Sequence, residues 1–233
     1  LIDSTCDLPK EVAKKSNITV IPDYVNIGER SYQDGVDIRA EEFYQLLKTS
    51  QEPVFTSQPP LQDFLNHFKE ALRESSEVLF LSVSSKLSKL YSTAYQANKQ
   101  LGNKVNIYDS KTVAGALGLL GIGAAEEARQ GSLINDIIKK LNQILKRSRL
   151  IGVLDTLKYL EKGGRIGKAR ALLGSLLSIK PIITIVDGEA SPLGKVRTHQ
   201  QGLKFVVDKI KQDIKKLSAS LAVGGTGIKR KES

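Results

Sequence analysis

The sequence lacks several features that mark particular classes of protein. No apolar run among its 233 residues reaches the roughly 18 residues that would suggest a membrane span, and no basic-then-apolar signal peptide stands at its start. The single cysteine, Cys6, excludes an internal disulfide, and nothing pairs with it as a metal site. We therefore expect a cytoplasmic protein with no integral membrane segment and no metal or other cofactor.

Catalytic motifs are also missing. Only His67 and His199 could serve as imidazole bases, and the chain has neither a Gly-x-Ser-x-Gly elbow nor a Gly-x-x-x-x-Gly-Lys-Ser/Thr loop. A serine nucleophile needs a base to activate it, so the sequence gives little support for nucleophilic hydrolysis.

The sequence has fewer acidic than basic residues: 25 Asp and Glu against 35 Lys and Arg, which gives a net charge of +10. Such a balance can favour nucleic acid. The basic residues are dispersed over helices with apolar opposite faces, as at Lys139 and Lys140, and only 6% of residues are aromatic. Solvated helix faces explain this pattern, so we do not expect nucleic-acid binding. That alternative predicts an affinity that falls steeply with salt.

The order of apolar patterns in the first half indicates the fold class. Residues 77–83 form a dense apolar run of strand length, residues 104–110 are expected to form the next strand, and residues 60–73 carry apolar side chains at helical spacing. Strands and helices alternate in this way up to residue 148. The pattern predicts an α/β protein whose N-terminal domain, residues 1–148, holds a doubly wound parallel sheet.

The second half follows a different pattern. A strand at 149–157 precedes a hairpin around Asp187-Gly188, an amphipathic helix over 201–217 and a short strand at 219–225. A hairpin followed by a helix indicates antiparallel strands. We therefore expect a smaller α+β domain over residues 149–233, with any ligand held between the two domains.

Two hydroxyl residues, Thr56 and Ser57, stand directly before Pro59-Pro60 and the helix predicted at 60–73. One of them could cap that helix. Capping does not require two hydroxyls in an extended segment before the helix, however. A helix N-terminus with hydroxyls beside it is also a suitable binding site for a carboxylate or phosphate. The stretch by itself favours capping and leaves a ligand as the alternative.

A second hydroxyl-rich turn follows the apolar strand 77–83. Ser84, Ser85 and Ser88 come at the carboxyl end of that strand, where open α/β sheets bind ligands. Ser88 could instead be the N-cap of the next helix. Two such turns on one sheet make a ligand site more plausible than either turn does alone.

Two further strand ends carry similar side chains. Asp109 and Ser110 follow the strand 104–110, and the chain opens with Asp3, Ser4 and Thr5 after an apolar start. These turns would share one rim of the sheet, with a glycine-rich helix behind them. Their hydroxyls suit hydrogen-bond donation better than nucleophilic attack.

A cluster of basic side chains surrounds Gly163-Gly164. A helix break with solvated charges explains it, and an exposed cationic contact for an acidic partner or a phosphate is the alternative. The cluster consists of Lys162, Arg165, Lys168 and Arg170.

Several stretches together resemble the DegV family of bacterial fatty-acid-binding proteins, which are the fatty-acid-binding subunits of fatty acid kinase. The resemblance runs from residue 2 to about residue 198, and its most specific pieces are TSQP and LEKGGRI. The stretches are DSTCDLP, YQDGVDI, TSQPPLQDF, SSKLSKLYST, YDSKTVAGALGLL and TLKYLEKGGRIGKARALLGSLLSIKPII.

The resemblance implies a function and a set of site residues. Two α/β domains would clasp a long-chain fatty acid, whose carboxylate would be hydrogen-bonded by Thr56 and Ser88, with Ser57 beside them. Arg165 would contact a separate kinase subunit that phosphorylates the bound carboxylate with ATP. The protein itself would catalyse nothing. Glycines and alanines of the helix after Ser110 would leave room for the acyl tail, namely Gly115, Ala116, Gly118, Gly121 and Gly123.

Two departures from the family pattern limit the transfer of site residues. The usual Ser-Gly-Thr reads Ser88-Lys89-Leu90, and the glycine-rich end of the chain carries no histidine. The alternative function is a serine-dependent acyl hydrolase or transferase that uses Ser88 or Ser57.

Overall fold

The computed structural model describes residues 1–174 and 179–224, with side chains described up to residue 215. The strands are β1 (Ile2–Asp3), β2 (Val20–Ile21), β3 (Tyr24–Ile27), β4 (Arg30–Gln33), β5 (Val54–Ser57), β6 (Val78–Ser82), β7 (Val105–Asp109), β8 (Ile151–Val153), β9 (Lys180–Val186) and β10 (Glu189–Val196). The helices are α1 (Lys10–Lys15), α2 (Ala40–Thr49), α3 (Leu61–Glu74), α4 (Leu90–Gln100), α5 (Ala114–Arg129), α6 (Ile134–Arg147), α7 (Lys158–Lys162) and α8 (His199–Gly224), with 3₁₀ helices at Ser4–Cys6 and Gly167–Leu172.

The strands form three sheets. The first is parallel and has the order β2-β1-β6-β7. The second, β4-β3-β5, and the third, β10-β9-β8, are antiparallel. The predicted α/β fold class is confirmed by the parallel sheet and its helices. Since α6 ends at Arg147 and β8 begins at Ile151, a boundary near residue 148 falls in a connection, and it stays a prediction.

An aromatic cluster anchors the first sheet. Phe80 of β6 packs against Phe64 and Phe68 of α3 with ring centroids 5.6 Å apart in each pair, and all three side chains are fully buried. The apolar spacing of α3 places both of its phenylalanines on one face, as the sequence predicts. Burial of three aromatic rings fixes α3 on the sheet and so fixes the position of the TSQP segment before it.

Three of the four glycines of α5 do not leave room for an acyl tail. A Cβ added at Gly118 would come within 2.8 Å of the Cys6 carbonyl oxygen, and one at Gly121 would come within 2.8 Å of Ile2 Cδ1. One at Gly123 would come within 2.7 Å of Ile144 Cδ1. The predicted role of these three glycines is therefore wrong. They allow α5 to approach the start of the chain and α6 closely, and protein atoms fill the space.

The predicted hairpin around Asp187-Gly188 is confirmed. It joins β9 and β10, and both turn residues have positive φ, at 50° and 81°. Two consecutive left-handed residues are typical of the two-residue type I′ turn, which Asp-Gly favours. The tip of this hairpin meets the first sheet, because a Cβ at Gly188 would contact the Ser84 side chain and lie 3.5 Å from Lys111 Cα.

The C-terminal helix differs from the sequence-based expectation in two ways. First, α8 continues to Gly224, so the strand predicted over 219–225 is wrong for the part that the structure describes. Second, the helix packs on the third sheet through Gly202 and Phe205. Apolar side chains assigned to one face in the sequence point to solvent instead, with 60, 47, 50 and 56% of their surface exposed, at Leu203, Val207, Ile210 and Ile214.

Candidate functional site

The strand order defines a crevice at one edge of the first sheet. The chain leaves β1 towards β2 on one side and returns to β6 on the other side, so the direction of winding changes between β1 and β6. In open α/β sheets, ligands bind outside the carboxyl ends of the strands at such a point. Here the Ser4–Cys6 turn follows β1 and the 83–89 segment follows β6.

Asp3 connects the two strands on either side of this crevice. Its Oδ2 accepts a 2.6 Å hydrogen bond from the Val83 N–H, and its Oδ1 accepts from the Thr5 hydroxyl at 2.5 Å and the Thr5 N–H at 3.1 Å. The side chain is fully buried, and this burial raises the pKa of Asp3 to about 6 against the opposing effect of its hydrogen bonds. Asp3 therefore holds the crevice together.

The serines of the turn after β6 have different partners. Ser84 Oγ donates to the Gly188 carbonyl at 2.7 Å, and Ser85 Oγ donates to Asp109 Oδ2 at 2.6 Å. Ser88 Oγ accepts from the Leu90 N–H at 3.1 Å. Ser88 is half-buried, and its hydroxyl proton has no acceptor in the part of the chain described. Ser88 thus satisfies the N–H of the first residue of α4, which is the capping role that the sequence offered as the alternative for this serine.

Neither hydroxyl of the TSQP segment caps α3. That helix begins at Leu61, and its N-cap is Pro60, with no side-chain capping bond. Thr56 and Ser57 lie on β5, where they pair with Val25 and Tyr24 of β3. The structure thus decides against the capping interpretation that the sequence favoured.

The two TSQP hydroxyls differ in exposure. Thr56 is exposed, whereas Ser57 is half-buried, and Ser57 Oγ accepts a 3.0 Å hydrogen bond from Asn26 Nδ2. Since that bond uses only a lone pair of Ser57, both residues can still donate a hydroxyl proton to an acceptor that approaches β5.

Arg165 crosses from the second half of the chain to the Ser88 turn. Its Nε donates to the Leu87 carbonyl at 2.9 Å, and its Nη1 donates to the Gly163 carbonyl at 2.6 Å. The side chain is nevertheless exposed. Arg165 therefore holds Leu87, the residue before Ser88, in place, and the sequence did not reveal this contact. Part of the guanidinium is still exposed to solvent.

The electrostatic interaction of Asp23 with Arg165 links the surroundings of Thr56 to those of Ser88. Asp23 lies two residues before Val25, the partner of Thr56, and its charge interacts with that of Arg165, which holds the residue before Ser88. We refer to the region around Asp23, Thr56, the 84–88 turn and Arg165 as the seam. Within the seam, Arg165 of the second half of the chain bonds to the residue before Ser88, and the convergence of Thr56 and Ser88 on one ligand stays a prediction.

Asp23 is a candidate residue of the seam that the sequence did not single out. Its Oδ1 is buried and has no hydrogen-bond partner. Burial, together with the charges of Asp3 and Asp34, raises the pKa of Asp23 to about 8, while Arg165 lowers it. The one available signal was a carboxylate directly after Pro22, at the end of the first apolar run.

A cavity of about 720 Å³ lies at the opposite, amino end of the first sheet. Its lining includes Ile18, Val78, Leu79 and Ala124, and it does not include Thr56, Ser57 or Ser88. Among the described residues, no group of three or more His, Cys, Asp or Glu is placed to hold a metal ion. In the same part of the chain, every helix is too short or too polar to cross a bilayer.

The fold and the seam define an α/β protein whose parallel sheet changes its direction of winding between β1 and β6, where an arginine and a hairpin from the second half of the chain bond to the serine-rich turn after β6. The chain belongs to the DegV family. The model of that family, "Uncharacterised protein, DegV family COG1307", matches residues 1–232.

Similar proteins support this assignment. A DegV domain-containing protein of Staphylococcus aureus (strain N315) is 37% identical over 212 residues, which cover 91% of this chain and 76% of the relative. A DegV domain-containing protein of Caldanaerobacter subterraneus is 34% identical over 210 residues, which cover 90% of this chain and 75% of the relative.

Solved structures agree in fold. A fatty-acid-binding DegV family protein of Thermus thermophilus superposes with a TM-score of 0.85 at 29% identity, covering 91% of this chain and 76% of that one. DegV of Bacillus subtilis, described as a fatty-acid-binding protein, superposes with a TM-score of 0.84 at 31% identity, covering 92% of this chain and 77% of that one. Fatty-acid binding is therefore a property of proteins in this family.

Proposed function

We propose that this protein binds a long-chain fatty acid at the seam, with the carboxylate held by Thr56 and Ser88, and presents that carboxylate to a separate kinase subunit. The observation that carries the proposal is the Ser88 hydroxyl. It is half-buried at the switch point of the sheet, and its proton has no acceptor among the described residues. The description of solved relatives as fatty-acid-binding proteins supports the same ligand.

Neutral hydroxyl donors suit this task. A carboxylate removed from water needs hydrogen-bond donors, because leaving it unpaired costs several kcal/mol. Thr56 and Ser88 can each donate one hydroxyl proton, and Ser57 can donate a third, since its bond with Asn26 uses only its acceptor side. Hydroxyl donors leave the negative charge on the ligand, where it can act as a nucleophile towards a phosphate.

The acyl chain would provide most of the affinity. Burial of each CH₂ group stabilises the complex by about 0.8 kcal/mol. Gly118, Gly121 and Gly123 do not provide the space for it, as described above. We propose that the tail lies between the two domains, residues 1–148 and 149–233.

Arg165 is proposed to contact the kinase subunit. Its side chain is exposed while two of its nitrogens hold backbone carbonyls at 2.9 and 2.6 Å, so the guanidinium is fixed in position without being buried. A fixed, exposed guanidinium is a good partner for a carboxylate or phosphate on another protein. The kinase would supply ATP and the chemistry, and we place this reaction in the cytoplasm.

Mass spectrometry of lipids extracted from the purified, denatured protein tests the ligand. We expect a fatty acid in near-stoichiometric amount. Thr56→Val and Ser88→Ala should each weaken binding of oleate about 10–100-fold, since each removes one hydrogen bond to a charged group. Thr49→Val and Ser92→Ala are matched controls, because both hydroxyls bond only to carbonyls of their own helices. Unchanged affinity in both seam variants would refute the proposed site.

Presentation to a kinase requires a separate assay. The loaded protein is incubated with ATP and an ATP-dependent fatty acid kinase subunit, and acyl phosphate is measured. Because Arg165→Ala also loosens the Ser88 turn, product is compared per molecule of bound fatty acid, and by that measure we expect this variant to lose most of it. Equal product from this variant and from the wild type would exclude the proposed role of Arg165 in the contact.

The alternative, a serine-dependent acyl hydrolase or transferase, finds no specific geometric support. Among the described residues, neither Ser57 nor Ser88 hydrogen-bonds to a histidine or a carboxylate. Ser85 does bond to Asp109, but no imidazole joins that pair. Turnover of an acyl ester by the protein alone, abolished by Ser88→Ala, would favour the enzyme over the carrier.

A further inference from the structure

We infer that fatty-acid binding at the seam is coupled to protonation of Asp23, which has to be uncharged for a second carboxylate to bind beside it. The inference rests on the proposed function, because it concerns the same site. Asp23 becomes a residue that sets the pH range in which the carrier holds its ligand.

The backbone holds Asp23 firmly in the seam. Its N–H donates to Ser4 Oγ at 3.0 Å, and its carbonyl accepts from the Asp34 N–H at 2.8 Å. These two bonds fix the main chain of Asp23, from which the carboxyl group projects. Its Oδ1 stays buried and has no hydrogen-bond partner. An ionised carboxylate in that position would lack the partners that a buried charge requires.

The surrounding charges do not neutralise Asp23. Asp3, at the end of β1, and Asp34, after β4, both act to keep the proton on Asp23. Asp7, after the first 3₁₀ helix, interacts in turn with Asp34. The positive charge of Arg165 lowers the pKa of Asp23. The Nε and Nη1 of Arg165, however, already donate hydrogen bonds to the carbonyls of Leu87 and Gly163.

A ligand carboxylate would join this group of charges. Thr56 pairs with Val25, two residues from Asp23, and Ser88 follows the residue that Arg165 holds. Two carboxyl groups that share a poorly hydrated site cannot both ionise easily, so one of them keeps a proton. The hydroxyls of Thr56 and Ser88 favour the charged form of the ligand, which leaves the proton on Asp23.

The expected pH dependence follows from the fraction of the free protein in which Asp23 carries a proton. Burial raises the pKa of Asp23 to about 8, so the free protein carries the proton at pH 7 and has largely lost it at pH 9. If only the protonated form binds, the apparent Kd rises about tenfold between these two pH values. Between pH 6 and pH 7 the affinity should change little.

The test uses the full chain and cis-parinaric acid, a fluorescent 18-carbon fatty acid, at submicromolar concentration between pH 6.5 and pH 9.5. We expect the wild-type Kd to rise about tenfold from pH 7 to pH 9, and Asp23→Asn to bind with a nearly flat pH profile. Glu29→Gln, an exposed change of the same charge in the β3–β4 turn, should keep the wild-type profile. Dividing the wild-type Kd by that of Asp23→Asn removes any contribution from the probe itself.

Calorimetry gives a second readout that needs no variant. Binding at pH 8 in phosphate and in Tris, which differ in ionisation enthalpy, should report uptake of about half a proton per ligand. A flat wild-type profile, an Asp23→Asn profile as steep as that of the wild type, or no proton uptake would each overturn the coupling while leaving the carrier function intact. Failure of every variant to bind the probe at any pH would instead contradict the proposed function.

Discussion

Ser84 and Gly188 lie 104 positions apart in the chain, and the Ser84 hydroxyl donates a buried 2.7 Å hydrogen bond to the Gly188 carbonyl. The bond joins the end of β6 in the first sheet to the hairpin tip of the third sheet. Four residues beyond Ser84 lies Ser88, which Arg165 approaches from the same half of the chain as the hairpin. The second half of the protein thus holds the Ser84–Ser88 turn at both of its ends.

Gly188→Ala should destabilise the protein by about 2–4 kcal/mol. The new Cβ would displace the Ser84 side chain, which breaks the buried bond, and alanine is also strained at a φ of 81°. Gly131→Ala is a matched control, since Gly131 has a φ of 80° and nothing within 4 Å of an added Cβ, and it should cost only about 1–2 kcal/mol. Urea unfolding followed by circular dichroism measures both. Equal losses would show that the contact with Ser84 contributes nothing.

Gly118→Ala should destabilise the protein by about 1–3 kcal/mol, because its Cβ would collide with the backbone carbonyl of Cys6, which cannot move as a side-chain tip can. Gly115→Ala, three residues earlier in α5, meets nothing within 4 Å and should leave stability unchanged or raise it by up to about 1 kcal/mol. Thermal unfolding distinguishes the two. A neutral Gly118→Ala would mean that the helix has room to retreat from the start of the chain.

Arg165→Ala should loosen the Ser88 turn. Removal of the guanidinium leaves the Leu87 carbonyl without its 2.9 Å donor, so amide hydrogen exchange over residues 84–90 should accelerate about tenfold, while global stability changes by about 1 kcal/mol or less. Arg170→Ala, which removes an exposed ion pair with Glu161 at 3.9 Å in the same segment, should leave that exchange unchanged. Identical exchange in all three proteins would show that Arg165 does not brace the turn.

Asp3→Asn should change how stability depends on pH. Because burial raises the pKa of Asp3 from 3.8 to about 6, the folded protein keeps a proton that the unfolded chain has already released. Stability conferred by this group is therefore present at pH 4 and is lost as the pH rises through 6, by on the order of 3 kcal/mol. Urea unfolding of both proteins from pH 4 to pH 7 measures this loss as a difference in slope. A constant difference between them would contradict the raised pKa.

The parallel sheet and its helices could be predicted because the signals are local. The apolar run that becomes β6 and the helical spacing of Phe64 and Phe68 depend only on neighbouring residues. The Asp187-Gly188 turn is equally local, since few dipeptides accept two positive φ angles. The strand predicted at 219–225 was wrong because nothing interrupts the helix before it. Between Gly202 and Gly224 the sequence has no glycine or proline, and apolar residues continue at helical spacing, so α8 runs on to Gly224.

The site was predictable only in part, because its contacts join distant segments. Pairing with β3 holds Thr56 and Ser57 extended, and the double proline at 59–60 extends the chain between them and α3, which keeps both hydroxyls away from the first turn of that helix. No sequence pattern reveals that Arg165 reaches Leu87, or that Asp23 is buried without a hydrogen-bond partner for Oδ1. These features depend on how the third sheet meets the first.

The central place of β1 in the first sheet also affects how the protein is made. Ile2 pairs with Val20 on one side and with Leu81 on the other, so the second partner is synthesised 79 residues after it. At roughly 5–20 residues per second, the ribosome needs about 4–16 s to supply that partner. During this interval the nascent chain carries an apolar strand with one open edge, and early chaperone contact should concentrate there.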